Sequence, residues 1–265
     1  MTSADTASPL QRLRNLGWRD RLAAAGIHLG LSLTIAALAA ILVFVVWYPG
    51  AFRELAGGRD LFVLLTSVDV VLGPLLTLAV FNRRKSRSHL RLDLAVVGAL
   101  QLAALVYGLH TVFIVRPVAM IFEVDRFRLV TANDVAVDEL PKAPPAYREL
   151  PLTGPLLLGA RQPEAGAESN DALFQALAGK DVGVRPLFWQ PYEQARSRAL
   201  ERARPIALLL AHYPQRAADI RDRLKGMGAD ESTARFMPVM ARGDWSAVLD
   251  AAGDVRGYLP LDGFI

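Results

Sequence analysis

Three long apolar stretches dominate the first 117 residues, and nothing of that length follows them. The first, Ile27 to Tyr48, has 22 residues without Asp, Glu, Lys or Arg, enough at about 1.5 Å per residue to cross a hydrocarbon layer of about 30 Å. Leu61 to Phe81 and Leu92 to Val115 meet the same length criterion with one carboxylate each, Asp69 and Asp93. All three are expected to be transmembrane helices. A cleavable secretory signal is a poor match to the first run, because its apolar part is too long and it ends in Trp47-Tyr48-Pro49-Gly50. Trp47 and Tyr48 suit one membrane boundary, and Arg116-Pro117 stops the third helix at another.

After Val115 the periodicity changes. Val118 to Val124 and Arg126 to Val130 are rich in Val, Ile and Phe and predict strands, and Pro155 to Ala160 predicts a short one inside a proline-rich stretch of loop. Asn170-Asp171 is expected to cap a helix ending near Leu177, Pro191 to open one over Tyr192 to Arg204, and Gln215 to Lys225 to form a third. Pro205 to His212 predicts a buried strand. Phe236 to Ala241, Ser246 to Ala251 and Val255 to Pro260 predict a closing meander. The expected architecture is a membrane α-helical bundle of three transmembrane helices, followed by an α+β periplasmic domain with a mixed or antiparallel sheet. Its expected boundaries are a cytoplasmic segment 1–26, a transmembrane domain 27–117 and a periplasmic domain 118–265.

Charge sets the expected orientation. Residues 1–117 hold 12 Lys and Arg against 6 Asp and Glu, whereas 118–265 hold 18 against 20. The excess sits in the N-terminal segment (Arg12, Arg14, Arg19, Arg21) and in the loop between the second and third runs (Arg83, Arg84, Lys85, Arg87, Arg91), with only Arg53 and Arg59 between the first and second. The positive-inside rule therefore places the N-terminus in the cytoplasm and everything after Val115 across the membrane. A balanced second half argues against nucleic acid as a partner.

Candidate chemistry is sparse. There is no cysteine, so disulfides, thiolate metal sites and cysteine nucleophiles are excluded. The second half has no phosphate-binding loop, nucleophile elbow or His-Glu-x-x-His, and its single histidine, His212, stands alone. Phe188, Trp189 and Tyr192 are assigned to core packing over an aromatic docking patch. No catalytic residue, cofactor or metal site is expected.

The distinctive positions lie inside the spans. Thr66, Asp69, Gly73 and Thr77 recur at spacings of three or four and share one helix face. Gly98, Gln101, Leu105 and Gly108 form a similar stripe on the third run, and Gly26 and Gly30 with Ser32, Ala36 and Ala40 form one on the first. Such stripes let helices approach and hydrogen-bond across the contact. Asp69 falls near mid-bilayer, with Pro74 freeing the carbonyl of Val70, and an intramembrane carboxylate is costly enough to mark a site. Two roles stay open for it: a functional contact, or a structural hydrogen bond, for which Tyr107 is at similar depth. The residues expected at a helix-packing or partner-contact surface are Asp69, Gly73, Pro74, Thr77, Gln101, Tyr107 and Gly108.

These residues carry a resemblance. His28-Leu29 with Ser32, Trp47-Tyr48-Pro49 with Phe52, the string Val68 to Thr77, then Asp93, Gln101, Tyr107-Gly108, Arg116-Pro117 and Asp125-Arg126-Phe127 resemble the TfpX/TfpZ family of type IV pilin accessory proteins in order and spacing over residues 27–130. The acid followed by Leu-Gly-Pro-Leu-Leu-Thr within one span is the most specific part. The resemblance implies a bacterial inner-membrane protein that binds the major type IV pilin and helps it accumulate or assemble, or alters pilus dynamics, without enzymatic activity. A pilin presents a long apolar helix in the membrane and a globular head outside, matching the two halves of this chain.

Two other functions compete. A membrane-anchored periplasmic enzyme would need converging ionisable groups that residues 118–265 do not display. A small ion-coupled subunit using Asp69 would need more ionisable groups than Asp69, Asp93, His28 and His110, and would show internal hydropathy repeats, which this sequence lacks.

Overall fold

The computed structural model describes residues 17–82 and 86–265. The predicted basic residues Arg12, Arg14, Arg83, Arg84 and Lys85 lie outside the described residues. The chain divides into two compact units, one of residues 1–43 and 60–112, the other of 44–59 and 113–265.

Among the described residues, three helices are long and apolar enough to cross a membrane. Helix α1 (Trp18–Ile41) begins nine residues before the apolar run and widens into a π-helical turn over Leu42–Trp47. A single turn, α2 (Phe52–Leu55), follows in the loop. Helices α3 (Gly58–Val80) and α4 (Arg87–Ile114) match the second and third predicted spans, and α3 runs through Pro74. Their side-chain hydroxyls fold back onto their own helices: Thr66 Oγ1 donates to Phe62 O at 2.7 Å and Thr111 Oγ1 to Tyr107 O at 2.9 Å. That leaves no hydroxyl proton of these residues facing apolar surroundings unpaired.

The second unit is built on a mixed sheet. Its strands are β1 (Pro117–Glu123), β2 (Arg126–Thr131), β3 (Leu156–Ala160), β4 (Trp189–Pro191), β5 (Arg204–Pro205), β6 (Arg235–Ala241), β7 (Gly243–Leu249) and β8 (Val255–Leu259). The order is β4-β3-β1-β2-β6-β7-β8, with β5 paired to β6. Pairs β1–β3 and β2–β6 are parallel and the others antiparallel. Helices α5 (Ala167–Leu177), α6 (Arg196–Arg202), α7 (Ile206–His212) and α8 (Ala217–Gly226) complete it.

Alternation along the strands distributes their side chains between two faces. Met120, Phe122, Phe127, Met237, Val239, Trp245, Ala247 and Leu249 share one face with Tyr192, Ala195 and Ala199. On the opposite face, Ala119, Ile121 and Leu158 pack with Tyr147, Val184 and Trp189, while Phe236 and Val248 pack with α7 and α8. Central strands buried on both faces explain why Pro117–Glu123 reads as a continuous apolar run. Phe188, Trp189 and Tyr192 are buried in this core, as their assignment to packing anticipated.

Two predicted features are corrected: Asn170-Asp171 does not cap a helix but lies inside α5, which begins at Ala167 after Gly166, and one predicted strand is a helix. Pro205 to His212 is not a strand: only Arg204–Pro205 pairs with β6, and Ile206–His212 is helix α7. A short apolar run carries no periodicity to separate strand from helix, and Ala-Leu-Leu-Leu-Ala favours helix intrinsically. Ile206, Leu209 and Leu210, spaced at three and four, point into the core.

The globular unit also recruits the loop between the first two spans. Leu55 is fully buried in its core, Phe52 meets Tyr258 edge-on with ring centroids 5.5 Å apart, and the Arg242 N–H donates to Leu55 O at 3.0 Å. Residues 44–59 thus belong to the unit expected to begin at 118. Tyr48, expected at the lipid boundary, is fully buried inside it, against Gly58, where a Cβ would fall 2.4 Å from its ring. Trp47 packs on Phe113 at 5.1 Å, and Arg116 is buried with its guanidinium 3.9 Å from the Phe113 ring.

Candidate functional site in the helical bundle

The three spanning helices converge where their polar stripes meet. Gly73 of α3 is the pivot: a Cβ there would lie 2.0 Å from Gln101 Nε2 on α4 and 3.0 Å from His28 Nε2 on α1. Only glycine admits both side chains over the backbone of α3. Gln101 Nε2 then donates to the main-chain oxygen of Asp69 at 3.2 Å, and His28 Nδ1 and Thr77 Oγ1 share a hydrogen bond of 2.5 Å. Gly108 brings α4 against Leu65, 3.5 Å from where its Cβ would be. The polar contacts therefore tie α1 and α4 separately to α3.

Between α1 and α4 a cleft of about 470 Å³ remains. Ile27, Leu31 and Ile35 of α1 and Leu94, Leu102 and Leu105 of α4 give it apolar walls, while His28, Ser32, Thr66, Asp69, Thr77 and Gln101 supply polar atoms. From Ala24 to Ala36 it follows α1 for about 18 Å of helix rise. A second space of about 20 Å³, near the size of one water, lies between Ala39, Leu65, Thr66, Asp69, Gly108 and Val112. Asp69 lines both. Among the described residues, no donor reaches its carboxylate. An intramembrane carboxylate facing an apolar-walled cleft is a strong acceptor awaiting a donor or a proton.

The expected stripe residues are therefore partly brought together. Asp69, Gly73, Thr77 and Gln101 meet in one cluster, Gly108 seats α4 on α3, and Pro74 lies within α3 beside the pivot. Tyr107 is not among them: it is 70 % exposed on the outer surface of α4 beside His110, and the hydrogen bond expected between it and Asp69 is not formed. A helix position two residues from Leu105 points about 200° away from it, so similar depth did not mean a shared face. On α1, Ser32 and Ala36 line the cleft, but Gly26 and Gly30 face open space. His28 is the participant whose partner was not foreseen; its place in a span was visible, but the pairing with Thr77 depends on the register between helices.

Three helices of spanning length around a polar-floored cleft, joined to a mixed-sheet unit, define a membrane-type helical bundle with a globular appendage. Comparison with known proteins narrows the class. The family model for the fimbrial assembly protein FimB matches residues 16–57, from the start of α1 through the loop that carries Leu55. The fimbrial assembly protein of serogroup I from Dichelobacter nodosus is 32% identical over 243 residues, covering 91% of this chain and 95% of the relative. That of serogroup E1 is 30% identical over the same length, and that of serogroups C1 and C2 is 42% identical over 119 residues, 45% of this chain and 91% of the relative. The chain belongs to this fimbrial assembly protein family, which upholds the resemblance to type IV pilin accessory proteins. No solved structure matches it.

Proposed function

We propose that this protein is a non-enzymatic accessory factor of type IV pilus biogenesis that binds the major pilin in the bacterial inner membrane and promotes its stability or assembly. The family supports a role in fimbrial assembly. The observation that carries the finer reading is the cleft between α1 and α4, with Asp69 at its floor. Its apolar walls suit one further apolar helix, and the N-terminal helix of a pilin is such a segment.

Burying that helix in the cleft replaces lipid contacts by closer protein packing, and Asp69, Thr66 and Ser32 supply polar partners for any donor it carries. In this arrangement the N-terminus is cytoplasmic, as the positive-inside rule requires, and the globular unit is periplasmic, where it meets the pilin head.

The test is replacement of Asp69 by Asn and by Leu in the producing bacterium, following pilin and this protein together. Pilin falling while this protein persists supports the contact. Both falling together assigns Asp69 to the bundle's own stability and counts against it.

A further inference from the structure

Residues 151–160 contain no charged side chain, yet Leu152 is 63 % exposed, and Leu156 and Leu157 are exposed to a lesser degree. A single exposed leucine on a soluble surface is ordinary. Here Leu152 sits in an uncharged turn leading into β3, where Leu156 and Leu157 leave on opposite faces, so the turn with Leu152 at its tip is the apolar feature to be explained.

Hydrogen bonds fix where this segment lies. The Gly154 N–H donates to the carbonyl of Val46, in the last turn of the first span, at 2.7 Å. Arg116 donates to the Pro151 carbonyl at 3.3 and 3.2 Å and to the Phe113 carbonyl, in the last turn of the third span, at 2.9 Å. Gly154 has φ +58°, and a Cβ there would come 3.1 Å from Pro49 Cγ, so the turn is seated on the helix end. Beside it, Trp47 packs on Phe113, an aromatic pair suited to the headgroup level.

We propose that residues 151–157 form a bilayer-contacting loop, with Leu152 entering the boundary between lipid headgroups and acyl chains. The occupant is phospholipid, because the loop is bonded to the ends of two spanning helices, where a bilayer surface lies. With no charge on the segment, the contact is apolar and independent of headgroup charge.

The absence of cysteine allows a direct test. Leu152→Cys in the full-length protein carries a single nitroxide label, and the labelled protein is reconstituted in phosphatidylcholine vesicles without any other protein. Collision rates with oxygen, which concentrates in lipid, and with a water-soluble nickel chelate then report the label's surroundings. Val124→Cys is the reference: Val124 is 64 % exposed in the β1–β2 turn, about 23 Å of strand from Pro117. The oxygen-to-nickel ratio at 152 is expected to exceed that at 124 several-fold. Equal ratios overturn the proposal. Should Leu152→Cys fail to accumulate, Thr153→Cys, an exposed neighbour, takes the same measurement with the same two outcomes.

Discussion

Gly73 and Gln101 face each other across α3 and α4 so closely that a Cβ on residue 73 would lie 2.0 Å from the Gln101 amide nitrogen. The same amide holds the main-chain oxygen of Asp69 at 3.2 Å. Gly73→Ala must displace Gln101 and break that bond. Hydrogen bonds between membrane helices are worth about 0.6 kcal/mol on average, and overpacking against the end of a flexible side chain adds about 1 kcal/mol, the lower end of its usual range. The expected loss is about 1–2 kcal/mol in detergent unfolding, with Gly73→Ala/Gln101→Ala losing less than the sum of the single changes. Additive losses would deny the contact.

Leu55 supplies a second prediction, because it joins the first interhelical loop to the core of the globular unit. Leu55→Ala should lower the stability of that unit by about 2–5 kcal/mol, as for other fully buried leucines. Denaturant unfolding followed by tryptophan emission measures it, since Trp245 belongs to the same cluster. A loop residue of no structural consequence would change nothing.

The pH dependence of stability has a local source in Glu168. Both its oxygens pair with Arg161, at 2.7 and 2.9 Å, and one also accepts the Glu164 N–H. The Arg161 hydrogen bonds, then the Glu164 N–H, hold the carboxyl down at about 2. A depressed acid contributes stability above its unfolded value, and the contribution is lost as pH falls toward the folded one. Glu168→Gln should therefore be less stable than the parent near neutral pH, and the gap should close between about pH 4.5 and 2. Melting curves of the two proteins across that window check the sign; a constant gap would contradict it.

Much of this molecule is visible in its sequence for physical reasons. A span must be long and apolar, so the three helices declare themselves, and strands buried on both faces declare themselves as unbroken Val, Ile and Phe runs. The polar stripe on α3 was legible because Asp69, Gly73 and Thr77 follow helical spacing. Register between helices is not encoded locally, so the sequence offered Tyr107 as a partner for Asp69 where the structure places Gln101 on its backbone. The same limit hid His28–Thr77. Likewise, nothing in Phe52 to Leu55 marks it as part of a core whose other residues lie more than sixty positions away. Helix α7 was missed because a seven-residue segment, six of its residues apolar, holds too few turns to reveal a period.

A pilin helix seated in the proposed cleft between α1 and α4 would lie within crosslinking reach of the cleft walls. The test places a photo-activated crosslinking residue at Leu31 or Leu102, which line the cleft, and at Val71, which is 54 % exposed outside it. After illumination of cells producing their own pilin, a pilin adduct is expected from Leu31 and Leu102 and none from Val71. Adducts of equal yield at all three positions, or none at the two cleft positions while the labelled proteins persist, would contradict the proposal.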